Sequence, residues 1–304
     1  MRGQDAVDLT RVLRWEEGQC REAVDEVAEE QPLEIRIRGH AISVTMRTPG
    51  HDPELAAGFL LSEGVIRTPA DIERIEHCPR NQQENVLEVR LSPQVPLDLQ
   101  ALTRHVFASS SCGLCGKATI DAVNRLFEPV QSAARVGPAT LSRLPEAMRE
   151  RQRTFSRTGG LHAAALFDVG GRLLVLREDV GRHNAVDKAL GHALMAGWLP
   201  LDEHVLLVSG RCSFEIMQKT LAAGVPVVAA VSAPSSLAVE FAREANQTLI
   251  GFLRGPRMNV YAHPERLELP LAKLDPKVMA HLPRRDSRPS LPRSAPLDSH
   301  PDLR

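Results

Sequence analysis

The chain has 304 residues, of which 43% are hydrophobic and 25% charged, and its formal net charge is −1 at pH 7. This length can bury a substantial core and favours two domains. The near-zero charge gives no general basic field for nucleic acid, and an aromatic content of 4% is low for a protein that stacks single-stranded bases. No N-terminal signal segment and no apolar run of roughly 18 residues is present, so we expect a cytoplasmic protein that contacts neither membrane nor nucleic acid.

The N-terminal part of the chain predicts a small α+β domain over residues 32–107, preceded by an extension over residues 1–31. Apolar residues alternate in two runs around Gly39, which is typical of a β-hairpin. Helical spacing and a further alternating run complete the domain. The predicted elements are a hairpin over 32–48, a helix over 53–66, a strand over 86–91 and a short helix over 97–107.

A paired-cysteine motif, Cys112-Gly113-Leu114-Cys115, follows in an inter-domain segment over residues 108–134 and precedes a helix predicted over 118–127. Two thiols at this spacing can bind a metal, close a disulfide or pass on a sulfur atom. A structural zinc site needs four ligands, and a deaminase-type site needs a His-x-Glu before Pro-Cys-x-x-Cys. The sequence contains neither arrangement, so we expect no structural metal, and reactive cysteines are favoured.

Three further cysteines bring the total to five, an odd and sparse set that argues against a secreted disulfide scaffold. Cys20 and Cys78 belong to no motif and are interpreted as inert. Cys212 is interpreted as a small buried residue and not as a second nucleophile.

The second half of the chain, over residues 135–270, alternates strands and helices as in a layered α/β domain. Residues 271–304 are rich in Pro, Arg, Ser and Asp without apolar periodicity, which predicts a disordered tail. The predicted strands are 161–166, 173–177, 205–209, 225–231 and 249–253, and the predicted helices are 141–151, 184–197, 213–223 and 236–245.

Three loops that follow predicted strands are rich in serine, glycine or arginine: Ser209-Gly210-Arg211, residues 232–236, and Arg254-Gly255-Pro256-Arg257. Ligands of open α/β sheets bind beyond the carboxyl ends of the strands, where hydroxyls, free amides and guanidinium groups can hold phosphate. The loops therefore indicate a ligand that carries phosphate. The alternative is that they are ordinary turns with solvated arginines.

Two histidines are candidates for proton transfer or sulfur activation. His162 begins a predicted buried strand, and His183 follows Glu178-Asp179-Val180-Gly181-Arg182 before a predicted helix. The alternative is structural: His162 is then a hydrogen-bonded core histidine, and Asp179 or Asn184 caps a helix.

The motif Cys112-Gly113-Leu114-Cys115-Gly116 is followed by Thr158-Gly159-Gly160-Leu161-His162, by the run at residues 177–188 and by Ser209-Gly210-Arg211. In these motifs the chain closely resembles the FdhD family over about residues 34–266. The family consists of sulfurtransferases, or sulfur carriers, that are required for formate dehydrogenase activity. The resemblance implies a homodimer with a small N-terminal α+β domain and a larger cytidine-deaminase-like α/β/α domain.

The resemblance also implies a route for sulfur. A cysteine desulfurase donates sulfur to Cys112 as a persulfide, and the sulfur passes to the molybdenum or tungsten of the bis(molybdopterin guanine dinucleotide) cofactor before its insertion into formate dehydrogenase. The role of Cys115 stays open. The cofactor-binding stretch of the family maps to Phe252-Leu253-Arg254-Gly255-Pro256-Arg257. The strand-end loop adds Ser209 and Arg211 as candidates, and His162 is a further candidate. The alternative is a chaperone that binds the cofactor without transferring sulfur.

Overall fold

The structure is a computed structural model that describes residues 6–79, 84–96 and 126–269. These residues form a mixed α+β fold of twelve strands in three sheets and six α-helices. The strands are β1 (Val7–Glu16), β2 (Gln19–Ala28), β3 (Gln31–Ile37), β4 (His40–Arg47), β5 (Ile72–His77), β6 (Val86–Leu91), β7 (His162–Asp168), β8 (Leu173–Asp179), β9 (His204–Val208), β10 (Val227–Ala230), β11 (Thr248–Arg254) and β12 (Arg257–Ala262).

The helices of the described residues are α1 (Asp52–Ser62), α2 (Pro138–Arg151), α3 (Arg153–Thr158), α4 (Arg182–Met195), α5 (Phe214–Ala222) and α6 (Ser236–Glu244), with 3₁₀ turns at Pro69–Asp71 and Pro264–Arg266. None of these helices is long and apolar enough to cross a membrane. All described residues belong to one compact unit, Met1–Leu269. The domain boundaries given above stay predictions.

The four-stranded sheet has the order β4-β3-β6-β5 and contains the predicted hairpin as its β3–β4 pair. Leu33, Ile35 and Ile37 on β3 are buried, whereas the residues between them are partly exposed. This alternation is the sequence pattern that predicted the hairpin, because successive side chains of a strand point to opposite faces. The buried face packs with the apolar residues of α1 in the main hydrophobic core.

The six-stranded sheet has the order β12-β11-β10-β9-β7-β8. The neighbouring strands β9, β10 and β11 run parallel, and β7, β8 and β12 run antiparallel to their neighbours. Alternate residues of the strands belong to two different core clusters, one on each face of the sheet. On one face they pack with side chains of α2, and on the other with side chains of α4, α5 and α6. Burial on both faces explains the continuous apolar runs of β9 and β10.

The four-stranded and six-stranded sheets are connected by the crossing of α1 and α4, where the two backbones touch. A Cβ atom at Gly58 would lie 1.9 Å from the carbonyl oxygen of Asp187, and one at Gly191 would lie 1.8 Å from that of Glu54. On α1, Gly58 stands four residues after Glu54, whose carbonyl oxygen faces Gly191. On α4, Gly191 stands four residues after Asp187, whose carbonyl oxygen faces Gly58. No side chain larger than hydrogen fits at either position, so this packing depends on both glycines.

A buried ionic network joins the end of β4 to the start of α4. Lys188 Nζ lies 2.6 Å from Asp179 Oδ2, and the two side chains are 1% and 0% exposed. Lys188 also donates to the carbonyl oxygen of Thr48, whose backbone N–H donates to Asp179 Oδ2. Asp179 Oδ1 accepts the backbone N–H of Gly181 and an amide N–H of Asn184. Every polar atom of the ion pair therefore has a partner, which buried charges require.

Several elements of the structure differ from the sequence prediction. The hairpin β1–β2 occupies most of the predicted extension, and strands β5 and β12 were not predicted. Strand β5 has the sequence Ile-Glu-Arg-Ile-Glu-His, in which charged residues outnumber apolar ones, so no clear alternation is visible. Such a composition is common in edge strands, and β5 lies at the edge of its sheet. The predicted helix at 97–107 and the tail at 271–304 lie outside the described residues, as does all but the end of the helix at 118–127.

We expect Gly58→Ala to destabilise the protein by about 3 kcal/mol, because its Cβ would meet the backbone of Asp187 and force α1 and α4 apart. Thermal unfolding followed by circular dichroism measures this effect. Gly160→Ala is the matched control, since its Cβ would meet the nearest atom, Ala28 Cβ, at 3.4 Å. Equal melting temperatures of the two variants would contradict the glycine contact between the helices.

Candidate functional site

The carboxyl ends of β9, β10 and β11 meet at one edge of the six-stranded sheet, because these three strands are parallel neighbours. The three loops singled out in the sequence follow these strands at this edge, as expected. Hydrogen bonds connect the first two loops: the N–H of Cys212 donates to the carbonyl oxygen of Ala233, and the N–H of Ser235 donates to that of Cys212. The N–H of Phe252 on β11 donates to the carbonyl oxygen of Ser232. The loops therefore form one connected surface.

His162 lies at this same edge, since β7 is antiparallel to β9 and begins where β9 ends. The N–H of Ala163 donates to Ser209 Oγ at 2.9 Å, which fixes the serine beside the start of β7. A Cβ at Gly210 would lie 3.2 Å from His162 Nδ1, so the loop backbone passes close to the imidazole. Burial and the nearby charges of Arg182 and His183 lower the pKa of His162 below its ordinary value of 6.5. The lowered pKa favours the neutral imidazole of His162.

His183 is held at the N-termini of α4 and α5 by two side chains. Its Nε2 lies 3.0 Å from Glu215 Oε2 and 3.3 Å from Ser213 Oγ, and the serine hydroxyl donates to the same carboxylate. The hydrogen bond from His183 lowers the pKa of Glu215 to about 2. The ionised carboxylate thus orients the imidazole beside His162 and Arg182. This arrangement suits a group that binds an anion or moves a proton.

Arginine side chains supply the positive charge of the edge. Arg254 and Arg257 are direct cross-strand partners at the β11–β12 turn, and both are exposed. Arg254 Nε donates to the carbonyl oxygen of Val231, which orients its guanidinium group. Arg182 Nε is buried and has no hydrogen-bond partner among the described residues. Arg211 is exposed on the neighbouring loop. These side chains match the chemistry of a phosphate ligand.

The aromatic ring of Phe252 is 40% exposed at this edge, although the backbone there has a left-handed φ of 52°. Non-glycine residues rarely adopt that conformation, and it is concentrated at functional sites. The preceding Gly251 has no room for a side chain, because a Cβ would lie 2.8 Å from Pro234 Cδ. The chain is therefore packed tightly against the Pro234 loop while Phe252 is presented to solvent.

The structure brings together His162, Ser209 and Arg211 with the stretch 252–257, of which Leu253 is buried and belongs to the core. Cys112 and Cys115 lie outside the described residues. Cys212 is fully buried, as predicted, and burial raises the pKa of its thiol to about 12. Asp179 and Asn184 belong to the buried network under α4, so their role is structural. The N-cap of α4 is Gly181, so the prediction that Asp179 or Asn184 caps the helix is wrong.

Sequence reasoning missed Glu215 and Ser213 as the partners of His183, and it gave no role to Arg182. The first turn of α5 contains Glu215, and the acid stands 32 positions after the histidine. The available signal was weak: Ser213 and Glu215 follow a strand-end loop directly, so they had to lie at the same edge as the other loops. No local pattern indicated that they contact His183.

We expect the imidazole of His162 to titrate below pH 6.5 in the folded protein, which NMR of the histidine ring protons measures. The folded state then binds this proton more weakly than the unfolded state, so stability falls as pH decreases from 6.5 toward the folded pKa. Arg182→Gln should raise the pKa, because the charge of Arg182 is one cause of the shift. Arg172→Gln, at the opposite end of β7, is the control. A value at or above 6.5 would contradict the geometry.

Comparison with known proteins agrees with this architecture. The sequence model of the FdhD/NarQ family matches residues 28–268. The sulfur carrier protein FdhD of Streptomyces avermitilis is 51% identical over 267 residues, covering 85% of this chain and 95% of that protein, and that of Mycobacterium tuberculosis is 51% identical over 252 residues, covering 79% and 91%. A solved structure of a formate dehydrogenase accessory protein from Desulfotalea psychrophila covers 86% of this chain and 99% of its own, with a TM-score of 0.70 and 26% identity. The chain therefore belongs to the FdhD/NarQ family.

Proposed function

We propose that this protein is a sulfur carrier that serves formate dehydrogenase. One observation carries the proposal: relatives that are about half identical over most of the chain are sulfur carrier proteins. The motif Cys112-Gly113-Leu114-Cys115 supplies thiols for this chemistry. A cysteine desulfurase is the proposed donor, and a homodimer is the proposed assembly.

The first step of the proposed reaction is a thiol–persulfide exchange. The Cys112 thiolate attacks the outer sulfur of the persulfide on the desulfurase, forming a new S–S bond. The S–S bond on the donor breaks, and the donor cysteine leaves as a thiolate. One sulfur atom has then moved to Cys112 as a persulfide, and no net oxidation or reduction has occurred.

The second step delivers the terminal sulfur to the molybdenum of a bis(molybdopterin guanine dinucleotide) substrate. Release of the sulfur as sulfide requires two electrons. Cys115 can supply them by attacking the inner sulfur and closing a disulfide with Cys112, which leaves sulfide for the metal. A separate reductant then restores the two thiols before the next cycle.

The guanine dinucleotide substrate is proposed to bind at the strand-end edge. Arg254 and Arg257 stand opposite each other on adjacent strands and can contact neighbouring phosphates. Arg211 and Arg182 extend the positive charge along the edge, and the exposed ring of Phe252 offers a stacking surface for a base. His162 and the Glu215-bound His183 lie at the same edge, and they are proposed to contact the same ligand.

The second candidate is a chaperone that holds the cofactor without transferring sulfur. The arginines of the edge favour it as much as they favour a carrier, because both functions require cofactor binding. The two candidates differ in what they require of Cys112. A carrier needs its thiol, and a chaperone does not.

We expect Cys112→Ala to reduce formate dehydrogenase activity to background in cells that depend on this protein, because the thiol proposed to accept sulfur is lost. Cys20→Ala is the matched control, since Cys20 is an exposed free cysteine of the β1–β2 hairpin. The enzyme isolated from the Cys112→Ala cells should contain molybdenum and pterin but lack activity. Full activity with Cys112→Ala would favour the chaperone.

We expect Arg254→Ala combined with Arg257→Ala to weaken binding of guanosine diphosphate roughly tenfold or more, because two charge-assisted contacts to phosphate are lost. Isothermal titration calorimetry measures the dissociation constant, and circular dichroism checks the fold. Arg90→Ala, at an exposed position on β6, is the control. Unchanged affinity of the double variant would place the nucleotide elsewhere.

A further inference from the structure

The β1–β2 hairpin precedes the part of the chain that the family model matches, which begins at residue 28. Each strand has ten residues, so the ribbon is about 34 Å long at about 3.4 Å per residue. Its register is regular from Val7↔Ala28 to Glu16↔Gln19. Isolated two-stranded ribbons are marginally stable in water, and a hydrophobic face that is covered stabilises them.

One face of the ribbon carries large apolar side chains that stay exposed among the described residues. Leu9, Leu13, Trp15 and Val24 are 71%, 73%, 70% and 61% exposed, and the register places them on the same face. We call these four residues the hairpin patch. Its exposed area is on the order of 500 Å², a size that marks interaction surfaces on soluble proteins.

The charges on the two faces are arranged differently. On the opposite face, Arg14 pairs with Asp25 and Arg21 pairs with Glu16. On the face of the hairpin patch, Glu26 is bound by Arg157 of α3 through two hydrogen bonds.

Arg11 and Glu22 also lie on the face of the hairpin patch, and both are exposed. Neither makes an ion pair or hydrogen bond with the residues that the structure describes. The apolar residues are therefore accompanied by one positive and one negative side chain, which lie two register positions apart.

We propose that the hairpin patch binds the same patch of a second copy of this chain. The proposal rests on the homodimer of the proposed function and names its surface. The two ribbons stack face to face, and the twofold axis lies between them, perpendicular to the strands. Along the strands, the axis passes midway between Arg11 and Leu13. In a twofold interface of this kind, the same residues contact each other from both sides.

This symmetry makes the face complementary to itself. At that axis β1 lies over β1 of the other copy in the opposite direction, so Leu9 faces Trp15 and Arg11 faces Leu13. Leu13 and Glu22 are cross-strand partners, so Arg11 lies at the level of Glu22 on the second copy. The stem of Arg11 covers Leu13 while its guanidinium reaches Glu22, twice per dimer.

The exposed area of this face is close to the area that a stable dimer interface requires. A stable dimer buries about 800 Å² on each partner. The hairpin patch supplies on the order of 500 Å² of apolar surface, and Arg11, Glu22 and the residues beside them add a polar rim. Trp15 and Arg11 belong to the residue types that contribute most at interfaces.

The test is the oligomeric state of the full chain by sedimentation velocity over a concentration series. We expect the wild type to be a dimer, and Arg11→Glu and Glu22→Arg each to raise the dissociation constant roughly tenfold or more, because like charges then face each other. An equimolar mixture of the two variants should restore the dimer, since both contacts become attractive. Arg14→Glu, on the opposite face of the same strand, should leave the dimer intact.

Three outcomes would contradict the proposal in different ways. A monomeric wild type at tens of micromolar would remove both the homodimer and this interface, without affecting the sulfur chemistry. A dimer that all these variants leave unchanged, or that Arg14→Glu disrupts equally, would remove this interface alone. Failure of the mixture to restore the dimer would contradict the pairing of Arg11 with Glu22.

Discussion

The buried ion pair between Asp179 and Lys188 determines where the surface chemistry of this protein is placed. Asp179 ends β8, and Lys188 lies on α4, so the pair fixes the helix against the sheet. Thr48, in the segment between β4 and α1, hydrogen-bonds both side chains through its backbone N–H and carbonyl oxygen. Gly181, held by Asp179, directly precedes the residues of α4 that face the strand-end edge. Removing one partner would leave an uncompensated buried charge, which costs about 3–5 kcal/mol.

Buried contacts hold α4 in place, while its first turn faces the strand-end edge. Arg182 and His183 occupy the first turn of a helix whose later turns are fixed by the Asp187–Lys219 contact and by the crossing with α1. Glu215 comes from the neighbouring helix and orients His183. A phosphate-bearing ligand would therefore meet groups that are already oriented, so little conformational freedom is lost on binding.

Much of this edge was predictable because short apolar runs such as 205–208 and 227–230, bounded by turn residues, indicate buried strands, and the carboxyl ends of such strands meet in a parallel sheet. The contacts that complete the site were not predictable. His183 and Glu215, Gly58 and Asp187, and Asp179 and Thr48 are far apart in sequence, and no local pattern specifies their pairing. The β1–β2 hairpin was missed for a related reason. Its apolar residues alternate with charged ones, as in an exposed segment, and the described part of the chain leaves the hairpin patch exposed.

Sulfur transfer through Cys112 is the central claim, and intact-protein mass spectrometry tests it most directly. The protein is incubated with a cysteine desulfurase and cysteine, and wild type is compared with Cys112→Ala and Cys115→Ala. The account predicts a gain of one sulfur atom in the wild type and in Cys115→Ala, and no gain in Cys112→Ala. A wild-type protein that gains no sulfur, or a Cys112→Ala variant that gains it normally, would contradict the account.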